Sequence, residues 1–140
     1  MKVRIKKLTP DAVVPTKAHP TDAGIDLTAV SKTYDLENDV VSYGFGLAFE
    51  IPDGYAGFVF PRSSVYKTGM GLSNCVGIVD SAYRGEVSAK FYPSAREKDY
   101  EIGDRVAQMV ILPYPEIELE VAEELADGER GTNGYGSSGK

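Results

Sequence analysis

The sequence predicts an all-β domain, a barrel or sandwich of many short strands. Apolar residues recur with a period of two in several short runs, the pattern that turns one face of a strand toward a core. Clusters of Gly, Pro and Asp separate these runs, and frequent turns between short strands favour a closed or double-sheet architecture. A sustained helical period is missing throughout.

In chain order, the first strand is expected over residues 3–8. The clearest is Val41-Ser42-Tyr43-Gly44-Phe45-Gly46-Leu47-Ala48-Phe49-Glu50-Ile51, with large apolar residues at alternate positions. Pro52-Asp53-Gly54 is a turn signal, so a strand over 55–60 should return as a hairpin partner. A short helix is expected after Pro61-Arg62-Ser63, capped by Ser63 or Ser64 and stopped by Gly69. Further strands are expected over 72–79, 86–92, 106–112 and 117–121, followed by a weak helical stretch over 122–126.

Residues 128–140 have almost no core-forming side chains. The chain therefore divides into a β-domain, 1–127, and a Gly-rich arm, 128–140. By composition the arm is a mobile tail. It also suits a segment that orders over a ligand: Tyr135 offers an aromatic face, and its glycines let backbone N–H groups approach phosphates.

A chain of 140 residues suits one compact domain, or a domain plus an arm. Fifteen basic against 21 acidic residues give a net charge of -6, which argues against long nucleic acid as a partner. A small phosphorylated ligand needs only a few local donors and a metal. The single cysteine, Cys75, forms no internal disulfide and fits a reducing compartment. No apolar run approaches the roughly 20 residues of a membrane helix. The basic start, Met1 to Lys7, lacks a secretory signal's apolar stretch. The expectation is a cytoplasmic protein with no membrane contact. His19 and Cys75 are too few for a His-based zinc site, and no nucleophile elbow is present.

Five segments carry possible chemistry, and each also has a plain structural reading. Asp22 and Asp26 flank Gly24, as a loop or near a metal. Pro61-Arg62-Ser63-Ser64 joins a strand to a helix start, as a cap or an anion site. Asp80 ends an apolar strand and precedes Tyr83. The pair is a turn Asp and a packed Tyr, or a water-activating base and a sugar platform. In Gly103-Asp104-Arg105-Val106-Ala107-Gln108, Asp104 and Arg105 read mainly as a structural ion pair, while Gln108 packs or bonds a ligand. Residues 134–140 fit the opening of a phosphate-binding P-loop formally, but no Ser/Thr, strand or helix supplies its context.

Together and in order, Thr21-Asp22-Ala23-Gly24-Ile25-Asp26-Leu27, Pro61-Arg62-Ser63-Ser64, residues 74–86, residues 103–108 and residues 130–139 resemble the five motifs of the trimeric dUTP pyrophosphatases. The resemblance spans almost the whole chain. Ser64 stands where many members carry Gly, Ala82 where an acidic residue is common, and Tyr135 where Phe is usual.

The resemblance implies a jelly-roll-like β-barrel of the β-clip type, assembled as a homotrimer. Its sites lie between subunits, and the C-terminal arm is exchanged to close one of them. It implies hydrolysis of dUTP at the α-phosphate to dUMP and pyrophosphate, limiting uracil in DNA and supplying dUMP for dTMP synthesis. Asp80 matches the residue that activates water, and Asp26 the one that holds Mg2+ through water. Arg62, Ser63, Ser64, Gln108 and Arg130 match phosphate contacts, with Gly136, Ser137, Ser138 and Gly139 adding arm contacts. Uracil would be read by the hairpin around Gly77 and Val79, assisted by Asn74. Tyr83 would pack on deoxyribose, and Tyr135 would stack over the base. Two rivals are weighed: a dCTP deaminase sharing the fold and the Arg-Ser-Ser segment, and a nucleotide-gated binding protein on the same scaffold. The Gly-rich terminal motif and Asp80 ahead of Tyr83-Arg84-Gly85-Glu86 speak against the deaminase.

Overall fold

The computed structural model describes residues 1–94 and 98–134. The expectations placed on Tyr135, Gly136, Ser137, Ser138 and Gly139 lie outside the described residues.

Among the described residues ten strands follow in order: β1 (Arg4–Lys7), β2 (Ile25–Thr28), β3 (Ser31–Asp35), β4 (Val40–Gly44), β5 (Leu47–Glu50), β6 (Tyr55–Pro61), β7 (Gly71–Leu72), β8 (Gly77–Val79), β9 (Ser88–Tyr92) and β10 (Arg105–Pro113). A 3-10 turn, Ser63–Lys67, lies between β6 and β7. One antiparallel sheet runs β2-β10-β6-β8, a second β3-β4-β9-β7, and β1 pairs with β5. The result is the expected jelly-roll-like β-barrel.

Strand alternation fills its interior. Leu27, Val59, Ala107 and Met109 enter from the first sheet, and Val41, Tyr43, Ala89 and Phe91 from the second. Tyr43, Phe91 and Tyr100 meet edge-on at ring separations of 5.9–6.1 Å, a geometry that aromatic quadrupoles favour. The Tyr43 hydroxyl donates to the Tyr100 carbonyl at 3.0 Å, so its polar end is satisfied where it is buried.

Several local expectations are corrected. The run 41–51 is two strands, broken at Gly46, whose φ of 62° takes the chain out of the extended region. Glu86 Oε1 accepts the freed Gly46 N–H at 2.7 Å. The turn at Pro52-Asp53-Gly54 is present, but β5 pairs with β1 and β6 with β10 and β8. It carries the chain between sheets and makes no hairpin. The run 72–79 splits into β7 and β8 around a turn in which Cys75 has φ 60°. Neither Ser63 nor Ser64 caps the short helix; Arg62 holds the cap position in extended geometry with no side-chain cap bond. Gly69, at φ 77°, does end it. Residues 117–121 and 122–126 adopt neither strand nor helix: the former alternate as a strand should, but they pair with no strand among the described residues. β2 and β3 were not expected, being too short and polar for a clear period.

Candidate active site

The sheet β2-β10-β6-β8 has two chemically different faces. Cross-strand partners share a face, so Val59, Met109 and Gly77 point with the core, while Asp26, Gln108, Phe60 and Phe58 point outward.

The outer face carries a cleft of about 390 Å³, lined by Asp22, Gly24, Asp26, Arg62, Ser63, Arg105 and Gln108 among others. Asp26, at the middle of β2, is its hub. Arg62 Nε donates to Asp26 Oδ1 at 2.8 Å and Arg62 Nη2 to Oδ2 at 3.5 Å; Arg105 Nη1 donates to Oδ2 at 2.9 Å. Gln108 lies directly across from Asp26, and its Nε2 donates to the Pro61 carbonyl at 3.1 Å. Gly24 makes this placement possible, because a Cβ there would sit 2.7 Å from Gln108 Oε1.

The expected Asp104–Arg105 ion pair is not formed. Arg105 turns to Asp26, and Asp104 Oδ2 instead accepts the Glu101 N–H at 2.8 Å. The reason is an irregularity in the β10–β2 register between Arg105 and Ala107. Strict alternation would put Arg105 and Gln108 on opposite faces; a bulge brings both to one cleft. Arg105 is the residue that sequence reasoning missed. The only sequence signal for it is its place three residues before Gln108.

The second cleft, about 220 Å³, opens at the barrel mouth between β8 and the segment entering β9. Asn74, Gly77, Val79, Asp80, Tyr83 and Glu86 line it. A Cβ at Gly77 would come into ordinary contact with Val59 at 3.4 Å and the Asn74 amide at 3.5 Å. Asp80 directly follows β8, and its carbonyl accepts the Tyr83 N–H at 3.1 Å. That turn folds the Tyr83 ring back over Gly85, and the Tyr83 hydroxyl donates to the Glu86 carbonyl at 3.0 Å. Arg84 locks the same turn by donating to the Ser81 and Tyr83 carbonyls.

Of the expected residues, Asp26, Arg62, Ser63 and Gln108 thus meet in one cleft, and Asn74, Gly77, Val79, Asp80 and Tyr83 in the other. Ser64 lines neither; it lies within the 3-10 turn near the buried Tyr100 hydroxyl, whose ionisation burial pushes up. Arg130 sits in an exposed turn outside both clefts. The two clefts share no residue: the first reaches the sheet at Phe60, Gln108 and Val110, the second at Val59, Gly77 and Ile78.

The chain matches the dUTPase family over residues 11–139. It belongs to that family. It is 40% identical to the deoxyuridine 5'-triphosphate nucleotidohydrolase of Rhodococcus erythropolis over 99% of this chain and 87% of that protein. It is 39% identical to the one from Nautilia profundicola over 100% of both. Among solved structures, a mutant Staphylococcus bacteriophage 80alpha dUTPase with dUpNHpp superposes with a TM-score of 0.85 at 24% identity, covering 99% of each chain. A mutant dUTPase from phage phi11 of S. aureus, described with a structural Mg(II) ion, superposes with a TM-score of 0.73 at 21% identity, over 89% of this chain and 98% of that one. These likenesses to phage structures concern the fold. The chain is a dUTPase-family enzyme.

Among the described residues, no group of three or more His, Cys, Asp or Glu side chains is arranged to hold a metal. Both Asp26 oxygens already face arginine. This donor set suits an ion that arrives on a phosphorylated ligand and meets the protein through water. No helix of the described residues is long and apolar enough to cross a membrane.

Proposed function

We propose that this chain hydrolyses dUTP to dUMP and pyrophosphate, as a homotrimer whose sites form between copies. One observation carries the reading: the residues expected to meet phosphate and those expected to meet the base line two separate clefts that share no residue. A single nucleotide would engage both where one copy's first cleft meets another copy's second. The outer face suits such a contact, because Phe58, Val110, Leu112 and Ile78 are left partly or largely exposed on it. So does 117–121, where Ile117, Leu119 and Val121 alternate with glutamates and are 71%, 88% and 99% exposed. An alternating segment without a partner in its own chain gains one by pairing with a neighbour's sheet. The names of the relatives support dUTP as substrate.

In this site Asp80 holds a water and takes its proton as the water's oxygen attacks the α-phosphorus. The α–β bridging bond breaks, and its electron pair leaves with pyrophosphate. Arg62, Ser63, Ser64, Gln108 and Arg130 receive the phosphates and stabilise the charge gathering on the leaving group. Backbone groups at Gly77 and Val79, with Asn74, pair with the uracil edge. Tyr83 lies against deoxyribose where a 2′-hydroxyl would stand. The arm, 128–140, then closes on the 1–127 barrel of a neighbouring site, bringing Tyr135 over the base and Gly136, Ser137 and Ser138 to the phosphates. A magnesium ion would be held by the triphosphate and, through water, by Asp26, offsetting phosphate charge. The enzyme would work on the cytoplasmic nucleotide pool, with no long nucleic acid or membrane as partner.

The test is pyrophosphate release from dUTP, dCTP, dTTP and UTP, each with magnesium and with chelator. Release from dUTP alone, lost with chelator, is the expected result. Ammonia from dCTP without pyrophosphate from dUTP would assign the deaminase reaction instead. Silence on all four from a folded trimer would assign a binding protein.

A further inference from the structure

We propose that Arg105 is a second phosphate-binding arginine, held in reserve by Asp26, and that Asp26 releases both of its arginines when a triphosphate arrives. This rests on the triphosphate reading of the site above.

The outer cleft is electrically balanced as it stands. Arg62 and Arg105 face Asp26 and Asp22, and Asp22 is itself held by the His19 N–H at 2.8 Å. A balanced cleft exerts little pull on a polyanion, so the positive charge must be uncovered when the ligand binds. Asp26 is the group that covers it, for its two oxygens accept from Arg62 Nε, Arg62 Nη2 and Arg105 Nη1. A carboxylate between two guanidiniums occupies them much as a phosphate oxygen would, since both anions suit the same planar fork.

Arg105 is built for exchange more than for support. Its side chain is 55% exposed, against 26% for Arg62 and 22% for Asp26. It gives Asp26 one bond, leaving most of its five N–H donors for another acceptor. The β10 irregularity that turns it into the cleft interrupts the ladder with β2, and a half-exposed arginine gains little packing in return.

The exchange has a cost that predicts how binding behaves. When the arginines move to phosphate, Asp26 is left beside like charge without a cationic partner. A triphosphate that arrives alone meets that repulsion. One that arrives with a divalent cation brings Asp26 a replacement partner. Asp26 therefore couples ion binding to triphosphate binding, as reciprocal linkage requires.

Titration calorimetry with inorganic triphosphate, in chelator, tests this on the full-length assembled protein. Asp26→Asn keeps the side-chain volume and removes the charge. It should tighten triphosphate by ~10-fold without any metal, the scale of one hydrogen bond to a charged group. Adding Arg105→Gln to Asp26→Asn should reverse that gain, and Arg105→Lys should reverse it in part. Circular dichroism and light scattering establish that each variant keeps the wild-type fold and assembly. No gain for Asp26→Asn would overturn the exchange. No loss on adding Arg105→Gln would make Arg105 a mere support for Asp26 and overturn its role in binding. Wild-type pyrophosphate release from dUTP is measured alongside. Its failure removes the underlying function, while its success with a flat Asp26→Asn result removes the exchange alone.

Discussion

Gly85→Ala should damage sugar selection far more than stability. The Tyr83 ring folds back over Gly85 so closely that an alanine Cβ would lie under 3 Å from the Tyr83 Cζ and close against its hydroxyl. Ordinary contact needs roughly 3.5 Å or more, so the ring must move by about 1 Å. The backbone at Gly85 is not in the left-handed region, so alanine brings no conformational strain there. Tyr83 is 47% exposed, and its hydroxyl bond to the Glu86 carbonyl is a surface bond. Losing it costs about 0.5–1.5 kcal/mol at most, a small drop in melting temperature. The functional effect is larger, because the ring is proposed to occupy the space of a 2′-hydroxyl. The ratio of kcat/KM for dUTP to that for UTP should fall by about 10-fold or more, the range one small group commands in a fitted pocket. Steady-state pyrophosphate release on both substrates reads it directly. Tyr83→Phe is the control, since it keeps the ring and loses only the hydroxyl. An unchanged dUTP/UTP ratio in Gly85→Ala, with the fold intact, would refute Tyr83 as the sugar gate.

Asp80→Asn should bind dUTP and turn it over about 10²–10⁴-fold more slowly, the usual loss of a general base; single-turnover kinetics at wild-type rate would exclude that role. Deleting residues 131–140 should abolish most activity while light scattering still gives a mass near three chains; a fully active truncation would end the arm-closure reading, and a wild-type monomer the shared site. Lys32→Met probes a cluster remote from the clefts. Lys32 donates to Glu101 at 2.9 Å and lies 3.8 Å from Asp99, which accepts from the Tyr34 hydroxyl. Burial would lower the Lys32 pKa, but the bonds to Glu101 and Tyr34 outweigh it and raise it. A raised lysine stabilises fully below its unfolded value and loses that stability as pH climbs through the folded one. Urea melts should therefore show Lys32→Met weaker by about 1–2 kcal/mol at neutral pH, with the gap closing only above the ordinary lysine range near 10.5. A gap that closes near neutrality would rule out the lysine charge as its source.

The all-β character was legible because it depends on local alternation. Runs such as 106–112 are apolar enough to carry an inward face, and β10 formed there with Ala107 and Met109 buried in alternation and Val106 buried beside the register irregularity. Breaks were less legible. Nothing local distinguishes Gly46 as a strand break from Gly44 as an ordinary strand residue; the difference lies in Glu86, forty positions away, which accepts the Gly46 N–H. The hairpin expected at Pro52-Asp53-Gly54 failed for a similar reason. A turn signal fixes a change of direction, whereas strand pairing depends on which edges remain open after the rest of the sheet has formed.

The candidate site divides along the same line. Sequence alone determined which chemical groups this chain has available: a carboxylate after β8, an arginine before the 3-10 turn, an amide in β10, and a glycine-rich end. Those are properties of residue type and order, and their joint resemblance to one family was readable from them. Only tertiary structure decided which groups meet. It set Arg105 against Asp26 through a register irregularity, and it parted the two residue sets into clefts that share no residue. Chemistry is carried by each side chain, but the face it reaches depends on a period of two that a single bulge inverts.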